Sequence, residues 1–456
     1  MIQKKKDFFE NLDDKAVMGL LQQIQPYLTN REKLYKRYRR KPHPAQFMSG
    51  IDSRTLVGFE HYIVNMAKGY LAGKSPLYSF DETSETYTEE YAEMVDTIKR
   101  VNDDSSVFAE LIHSFISTGA AYLYISADEN NNINYTPISG RGAIAIYDYA
   151  IRPRMTALLR TWQEDKEQIM EITTATSQRR YNSKGESISF EDYDENGVLR
   201  ELHEKQLYWG AVPAVAFEQP DGIAIFEPAI DLIDVYENML TNARNMTQYN
   251  DAAKIIIRNH NAHPNKYIID PQTGEQTINP AWHQEIKEIY EAPAIFFPNE
   301  GDAQWLIKQV DYNGLISFLK QLEELIFMTT SVPNMADKQF AGNTSGVALR
   351  YKMYALDQYV TTLDRIFKKG YRRLWEIITD RINLRNSTDY SSTDILISFD
   401  TNAPDDRDGD MARAINAKKN GLLSHQTAIE ISGVEVDPIT EIERINSESR
   451  VESEQG

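Results

Sequence analysis

The chain contains no cysteine, which removes disulfides, thiolate zinc sites, iron–sulfur clusters and cysteine nucleophiles from consideration. It nowhere approaches a run of about 18 apolar residues, so no membrane-spanning helix is expected. The segment Met1 to Asp14 carries Lys4, Lys5, Lys6, Asp13 and Asp14. It lacks the apolar stretch of about 7–15 residues that a secretory signal needs, while the absence of cysteine makes an intracellular assembly site the expectation. Glycine and proline are sparse, 22 and 17 in 456 residues, which excludes collagen-like and low-complexity chains. Cations are also in deficit: 49 Lys and Arg against 68 Asp and Glu leave a net charge of −19. That balance opposes general affinity for duplex DNA or anionic membranes, so any DNA contact has to be local or transient. No repeat with a period of about 20–50 residues is visible.

Catalytic signatures are missing in the same way. Gly140-Arg141-Gly142 lacks the third glycine and the preceding βα context of a dinucleotide loop, and no phosphate-binding loop with its lysine occurs. Gly342-Asn343-Thr344-Ser345-Gly346 places its serine one position late for a nucleophile elbow; Ser345 reads better as a helix N-cap. His260 and His263 lack a third zinc ligand and read as a structural pair. Asp406-Arg407-Asp408-Gly409-Asp410 fails as a calcium loop, because Pro404 and Ile415 would fall at ligand positions, and reads as a turn before a helix at Met411. No cofactor, metal or catalytic residue is expected.

What is there is an ordinary folding composition, 41% hydrophobic and 26% charged, long enough at roughly 100–200 residues per domain for two to four domains. Residues 11–40 read as one or two amphipathic helices on Leu20, Leu21, Ile24 and Leu28. They end in the basic run Lys33 to Lys41, taken as a solvated helix end rather than a nucleic-acid patch. Helices follow over Leu56–Leu71, Thr88–Val101 and Val107–Thr118. From about 120 to 218, short strands alternate with the turn clusters Asp128–Asn132, Asn182–Gly185 and Asp194–Gly197, as in an antiparallel meander.

From Glu227 to about Asn259 neither Pro (after Pro228) nor Gly interrupts, and Leu232, Tyr236, Met239, Ala243, Met246, Ala253 and Ile257 recur at near-heptad spacing. A single helix of roughly 50 Å is predicted there. Residues 263–310 are punctuated by Pro264, Pro271, Pro280, Pro293 and Pro298. They read as a small α/β insert, with strands at Lys266–Asp270 and Ala294–Phe297 and a short helix over Pro280–Tyr290. Tyr312–Met328 is helical, Val332–Gly346 is a long loop, and a second very long helix runs from Ser345 to Asn386 with Ala348, Tyr351, Ala355, Leu363, Ile366, Leu374, Ile377 and Ile382 on one side. A strand at Ile395–Phe399, an acidic turn at Asp405–Asp410, helices over Met411–Asn420 and Gln426–Ser432, and a polar tail complete the chain. The expected fold class is α+β and helix-rich.

This pattern resembles the portal proteins of tailed bacteriophages with long non-contractile tails, over about Ile51 to Arg444. The most specific stretch is Val332-Pro333-Asn334-Met335 through Phe340-Ala341-Gly342-Asn343-Thr344-Ser345-Gly346-Val347-Ala348-Leu349-Arg350-Tyr351-Lys352, which is similar to the family's tunnel loop and longest helix. Asn65–Lys74, Phe226–Ile233, Gly421–Ser424 and Glu441–Arg444 support it. The resemblance implies a portal fold with a wing at 1–225, stem helices at 226–261 and 312–331, and a clip at 262–311. It further implies a tunnel loop at 332–346, a long helix and strand returning to the wing at 347–410, and a crown at 411–456. It also implies a ring, usually of about twelve subunits, at a capsid vertex of a virion assembled in the host cytoplasm.

By the same resemblance, double-stranded DNA passes through during packaging and ejection, brushing Asn334, Asp337, Lys338, Gln339, Phe340 and Asn343 of the tunnel loop. The large terminase subunit and a head–tail adaptor would dock on the clip through Lys266, Tyr267, Trp282 and Tyr290; major capsid and scaffold proteins are further implied partners. Two other readings stand beside this one: a helical scaffold or adaptor of a virion that forms no pore, and a DNA-processing enzyme whose active site matches no known motif.

Overall fold

The computed structural model describes residues 2–10, 12–40, 55–193, 199–219, 222–251, 254–258, 266–269, 271, 274–282, 284, 294–297, 303–306, 311–335, 346–402, 407–431, 441–442 and 444–445. The chain divides into two compact units. The first gathers Met1–Arg40, Gly58–Pro228 and Phe327–Gly456; the second gathers Lys41–Val57 and Ala229–Ile326.

In the first unit, α1 (Asp14–Tyr38) is one helix, started by the Asp13 carboxylate accepting from Ala16 N. Pro26 lies inside it on the exposed side, where water can hydrate the carbonyl that loses its partner. Its opposite face, Val17, Leu20, Ile24 and Leu28, packs on Ile144, Ile146, Leu159, Met170 and Ile172 of a twisted sheet. That sheet runs in the order Ile2–Gln3, Ala143–Tyr147, Met155–Glu164, Glu167–Thr173, Ser177–Tyr181, Lys205–Gln206, with Ser187–Ile188 also pairing on Ser177–Tyr181. It is antiparallel apart from its first strand: Ile2 pairs with Ile146 in parallel. The expected meander is thus split, because Ala214–Glu218 does not join this sheet but closes a second one on Ala120–Ala127 and Ile133–Ser139. The turns follow their chemistry. Gly185 takes φ 85° in the Asn182–Gly185 turn, and Asp128 accepts from the backbone of Asn130 and Asn132. The Asp194–Gly197 cluster lies outside the described residues.

Helices α2 (Phe59–Leu71), α3 (Glu89–Val101) and α4 (Asp104–Thr118) match the expected spans, α3 being capped by Thr88. On the second sheet an aromatic core forms from Phe108, Phe115, Phe217, Phe367, Tyr371 and Phe399. Burying each such ring contributes about 1.5–3 kcal/mol.

The second unit corrects the sequence reading. Helix α5 covers Ile230–Asp251, roughly 33 Å rather than 50 Å. The β-branched run that follows, Lys254–Arg258, is a strand, paired in parallel with Ala294–Phe297 and antiparallel with Ala303–Leu306. Three consecutive isoleucines favour a pleated, two-neighbour environment over continuation of a helix. Among the described side chains of α5 the buried ones are Ile233 and Glu237; Leu232, Tyr236, Met239 and Ala243 are only half-buried. Tyr267–Ile269 and Gln276–Ile278 form a separate hairpin.

Helix α6 (Tyr312–Thr330) buries Leu322 and Ile326, and burial together with the Glu323 carboxylate raises the pKa of the Tyr236 phenol.

Helix α7 (Gly346–Asn386) is one unbroken helix of 41 residues. Its buried stripe is Met353, Leu356, Val360, Leu363, Phe367, Tyr371, Leu374, Trp375 and Ile378, joined by Ile377 and Ile382. Tyr351 and Ala355, expected on that stripe, are exposed. The strand Ile395–Ser398 pairs with Leu77–Phe80. Helix α8 (Arg407–Lys419) begins four residues before the expected start, so Arg407 to Asp410 are helical and not a turn. Helix α9 covers His425–Ile431.

Candidate channel loop and docking hairpin

The loop after α6 is fixed at its root by one side chain. Ser331 ends the helix in a left-handed conformation, φ 59°, and Val332 is buried at 1% exposure. The Tyr62 hydroxyl of α2 then donates to Pro333 O at 3.1 Å and accepts from Met335 N at 2.8 Å. One phenol thereby satisfies both backbone groups that a short extended segment would otherwise leave unpaired. Phe327 packs edge-on against Tyr62 and Phe59, at 5.6 and 5.8 Å between ring centroids. Two turns along the same helix, the Tyr70 hydroxyl bonds to the Asp357 carboxylate of α7. So α2 holds the chain both before the loop and in the helix after it.

Of the sequence-predicted loop residues, Asn334 is half-buried between the two backbone groups held by Tyr62. Asp337, Lys338, Gln339, Phe340 and Asn343 lie outside the described residues, as do Ser345, His260 and His263. Tyr62 and Tyr70 were not singled out in the sequence. Their eight-residue spacing, which puts two phenols near one face of a helix, was the available signal.

At the hairpin, the Lys266 ammonium lies 5.2 Å from the Tyr267 ring centroid and 5.3 Å from that of Trp282, within cation–π range. Asn279 N donates to Lys266 O, and the Asn279 carboxamide accepts from Ala281 N, capping the helical turn at Pro280–Trp282. Lys266, Tyr267 and Trp282 are therefore one cluster, while Tyr290 lies outside the described residues. Tyr267, Ile268, Ile269 and Ile278 are 46%, 44%, 69% and 47% exposed. A strand usually hides alternate side chains; here successive apolar ones face outward.

Among the described residues no group of carboxylates and histidines is arranged to hold a metal, and no helix is long and apolar enough to cross a membrane.

A family model described as "Phage portal protein, SPP1 Gp6-like" matches residues 15–455. No curated protein matches the chain. Among solved structures, the chain is similar to one from the neck of an empty GTA particle computed with C6 symmetry. Identity there is 14% over 89% of this chain and 93% of that one, with a TM-score of 0.42. A chain of the virion of a native gene transfer agent (GTA) particle gives 11% identity over 89% and 93%, with a TM-score of 0.38. A chain of the native GTA neck computed with C12 symmetry gives 13% over 82% and 89%, with a TM-score of 0.40. Likenesses this distant carry no argument; the family match, which spans nearly the whole chain, does. The chain belongs to the SPP1 Gp6-like family of phage portal proteins and is a structural protein of the capsid vertex.

Proposed function

We propose that about a dozen copies close into a ring whose channel passes double-stranded DNA into the capsid and out again. The family match over residues 15–455 carries this reading. Exposed apolar side chains on α6 and α7 support it. Tyr312, Ile316, Phe318 and Met328 of α6 are 45%, 52%, 44% and 70% exposed, and Tyr351 and Tyr354 of α7 are 78% and 62% exposed. Such surface is the kind that neighbouring subunits cover. In this reading 226–261 and 312–331 are the stem, 262–311 the clip, 1–225 the wing, 332–346 the tunnel loop and 411–456 a crown.

The tunnel loop lines the narrowest part of the channel, with Lys338 touching passing phosphates briefly. Net charge −19 suits a conduit, since tight counterion-releasing contacts would retard sliding. The exposed hairpin with Lys266, Tyr267 and Trp282 is the dock for the terminase large subunit and, later, a head–tail adaptor. The chain performs no hydrolysis; the energy of packaging comes from the partner ATPase.

Negative-stain images and native mass of the purified chain test the ring: closed particles with a central hole are expected, and a monodisperse monomer at low salt overturns it. Replacing 266–300 by a short linker should spare the ring and abolish terminase binding; undiminished binding removes the clip assignment.

A further inference from the structure

A cavity of about 310 Å³ in the first unit lies between α1, α2, α4 and the strand Ile133–Ser139. Three basic side chains reach it from three elements: Lys68 of α2, His113 of α4 and Arg141 of the turn after that strand. Among the described residues, Glu110, itself exposed, is the carboxylate of the lining.

The two cations, Lys68 and Arg141, and the imidazole of His113 are poorly compensated. The Lys68 ammonium has no ion pair or hydrogen bond among the described residues. His113 Nδ1 is buried without a hydrogen-bond partner, its ring set against Tyr38 at 5.2 Å. Arg141 is engaged on one side, lying 3.7 Å over the Tyr35 ring with Nη1 3.3 Å from Glu32. Burial and then Lys68, Arg39, Arg141 and His61 all hold the His113 pKa below its ordinary value, and no carboxylate is among the causes. In a chain of net charge −19, the charges that act on the His113 ring are all basic, and the ring borders this cavity.

The geometry points to a binding site for a phosphate-class oxyanion, inorganic phosphate or a phosphate ester, held by the Lys68 ammonium, the Arg141 guanidinium and the His113 ring. A planar carboxylate is served by a single arginine fork, and here Glu32 already takes part of that fork. Two cations and an imidazole arriving from separate directions suit an anion with oxygens on several sides and a charge of about −1.5 to −2, whose arrival would itself favour protonation of the His113 ring. The serine hydroxyls of the lining do not serve it as donors, since Ser114 and Ser117 already donate to the carbonyls of Ala120 and His113.

The test uses the full chain and inorganic phosphate, by calorimetry and by thermal unfolding against chloride at equal ionic strength. Saturable binding that raises the melting temperature is expected. Lys68→Gln should weaken it at least tenfold without lowering the melting temperature in chloride, because Lys68 supports no other contact. Glu110→Gln should bind phosphate at least as tightly as the parent. A short DNA duplex separates the two sources: if it competes with phosphate, the ligand is a backbone phosphate ester, and if it does not, the ligand is the free anion. Absence of saturable binding, or unchanged affinity in Lys68→Gln, overturns the site.

Discussion

Arg37 Nε lies 2.7 Å from Glu60 Oε1, and Arg40 Nη2 reaches the same oxygen at 2.8 Å, with the Glu60 side chain 1% exposed. The basic end of α1 is thus engaged by an acid of α2 within the same unit, which accounts for two of its cations without any polyanion. Replacing Glu60 by Ala leaves both guanidiniums without this partner. Since each is partly solvated, a loss of about 2–3 kcal/mol is expected, less than for a fully buried pair. Denaturant unfolding of the variant checks this, and an unchanged midpoint would show that the pair contributes nothing.

Tyr62→Phe removes the donor to Pro333 O and the acceptor of Met335 N while keeping the ring on Phe327. Both freed groups lie in a half-exposed segment and can turn to water, so the stability cost should be about 1 kcal/mol. Packaging should fall by more than that small cost explains, because the loop root is no longer positioned. Full packaging with the same melting shift would reduce Tyr62 to a structural contact.

Gly370 in α7 faces the Phe217 ring, and a methyl group there would overlap it. Alanine ordinarily favours a helix by about 1 kcal/mol over glycine, but overpacking costs about 1–3 kcal/mol and the displaced ring is stacked on Phe367. Gly370→Ala should therefore destabilise the first unit by up to about 2 kcal/mol net. A rise in melting temperature would contradict this packing.

Asp104 accepts from the Tyr78 and Tyr135 hydroxyls at 2.9 and 2.8 Å. Burial raises its pKa, with the two phenols opposing. A raised folded-state pKa means the folded chain holds the proton where the unfolded chain has lost it. The contribution of this group is complete below the unfolded value of about 3.9 and declines as pH rises through the folded one. Asp104→Asn, which keeps an acceptor and adds a donor for the second phenol, should gain stability relative to the parent as pH rises from about 4 towards neutrality. Parallel pH–stability curves for the two proteins would exclude the effect.

Elements with one clear period were legible from the residues alone. Helix α3 was placed at Thr88–Val101 and the Asn182–Gly185 turn was read from its chemistry. The end of α5 was not legible, because Lys254–Arg258 continues an apolar pattern compatible with either period. Its strand state is decided by partners some 40–50 residues later. The stripe of α7 was misread at Tyr351 and Ala355 for a related reason: those side chains are apolar yet exposed. Lys266, Tyr267 and Trp282 were named through the family resemblance, and their side chains meet in one cation–π cluster. The Tyr62 anchor could not be named, since a tyrosine on a helix says nothing of which distant backbone it will meet.

The aromatic core also has a consequence for synthesis on the ribosome. Phe217 is made about 150 residues before Phe367, the ring on which it stacks at 4.9 Å. At roughly 5–20 residues per second, that face of the sheet waits about 8–30 s for its cover. During that interval Phe108, Phe115 and Phe217 are an open apolar surface on a nascent chain, so early termination within 327–366 should yield an insoluble fragment in which the second unit's segments are complete and the first is unsealed.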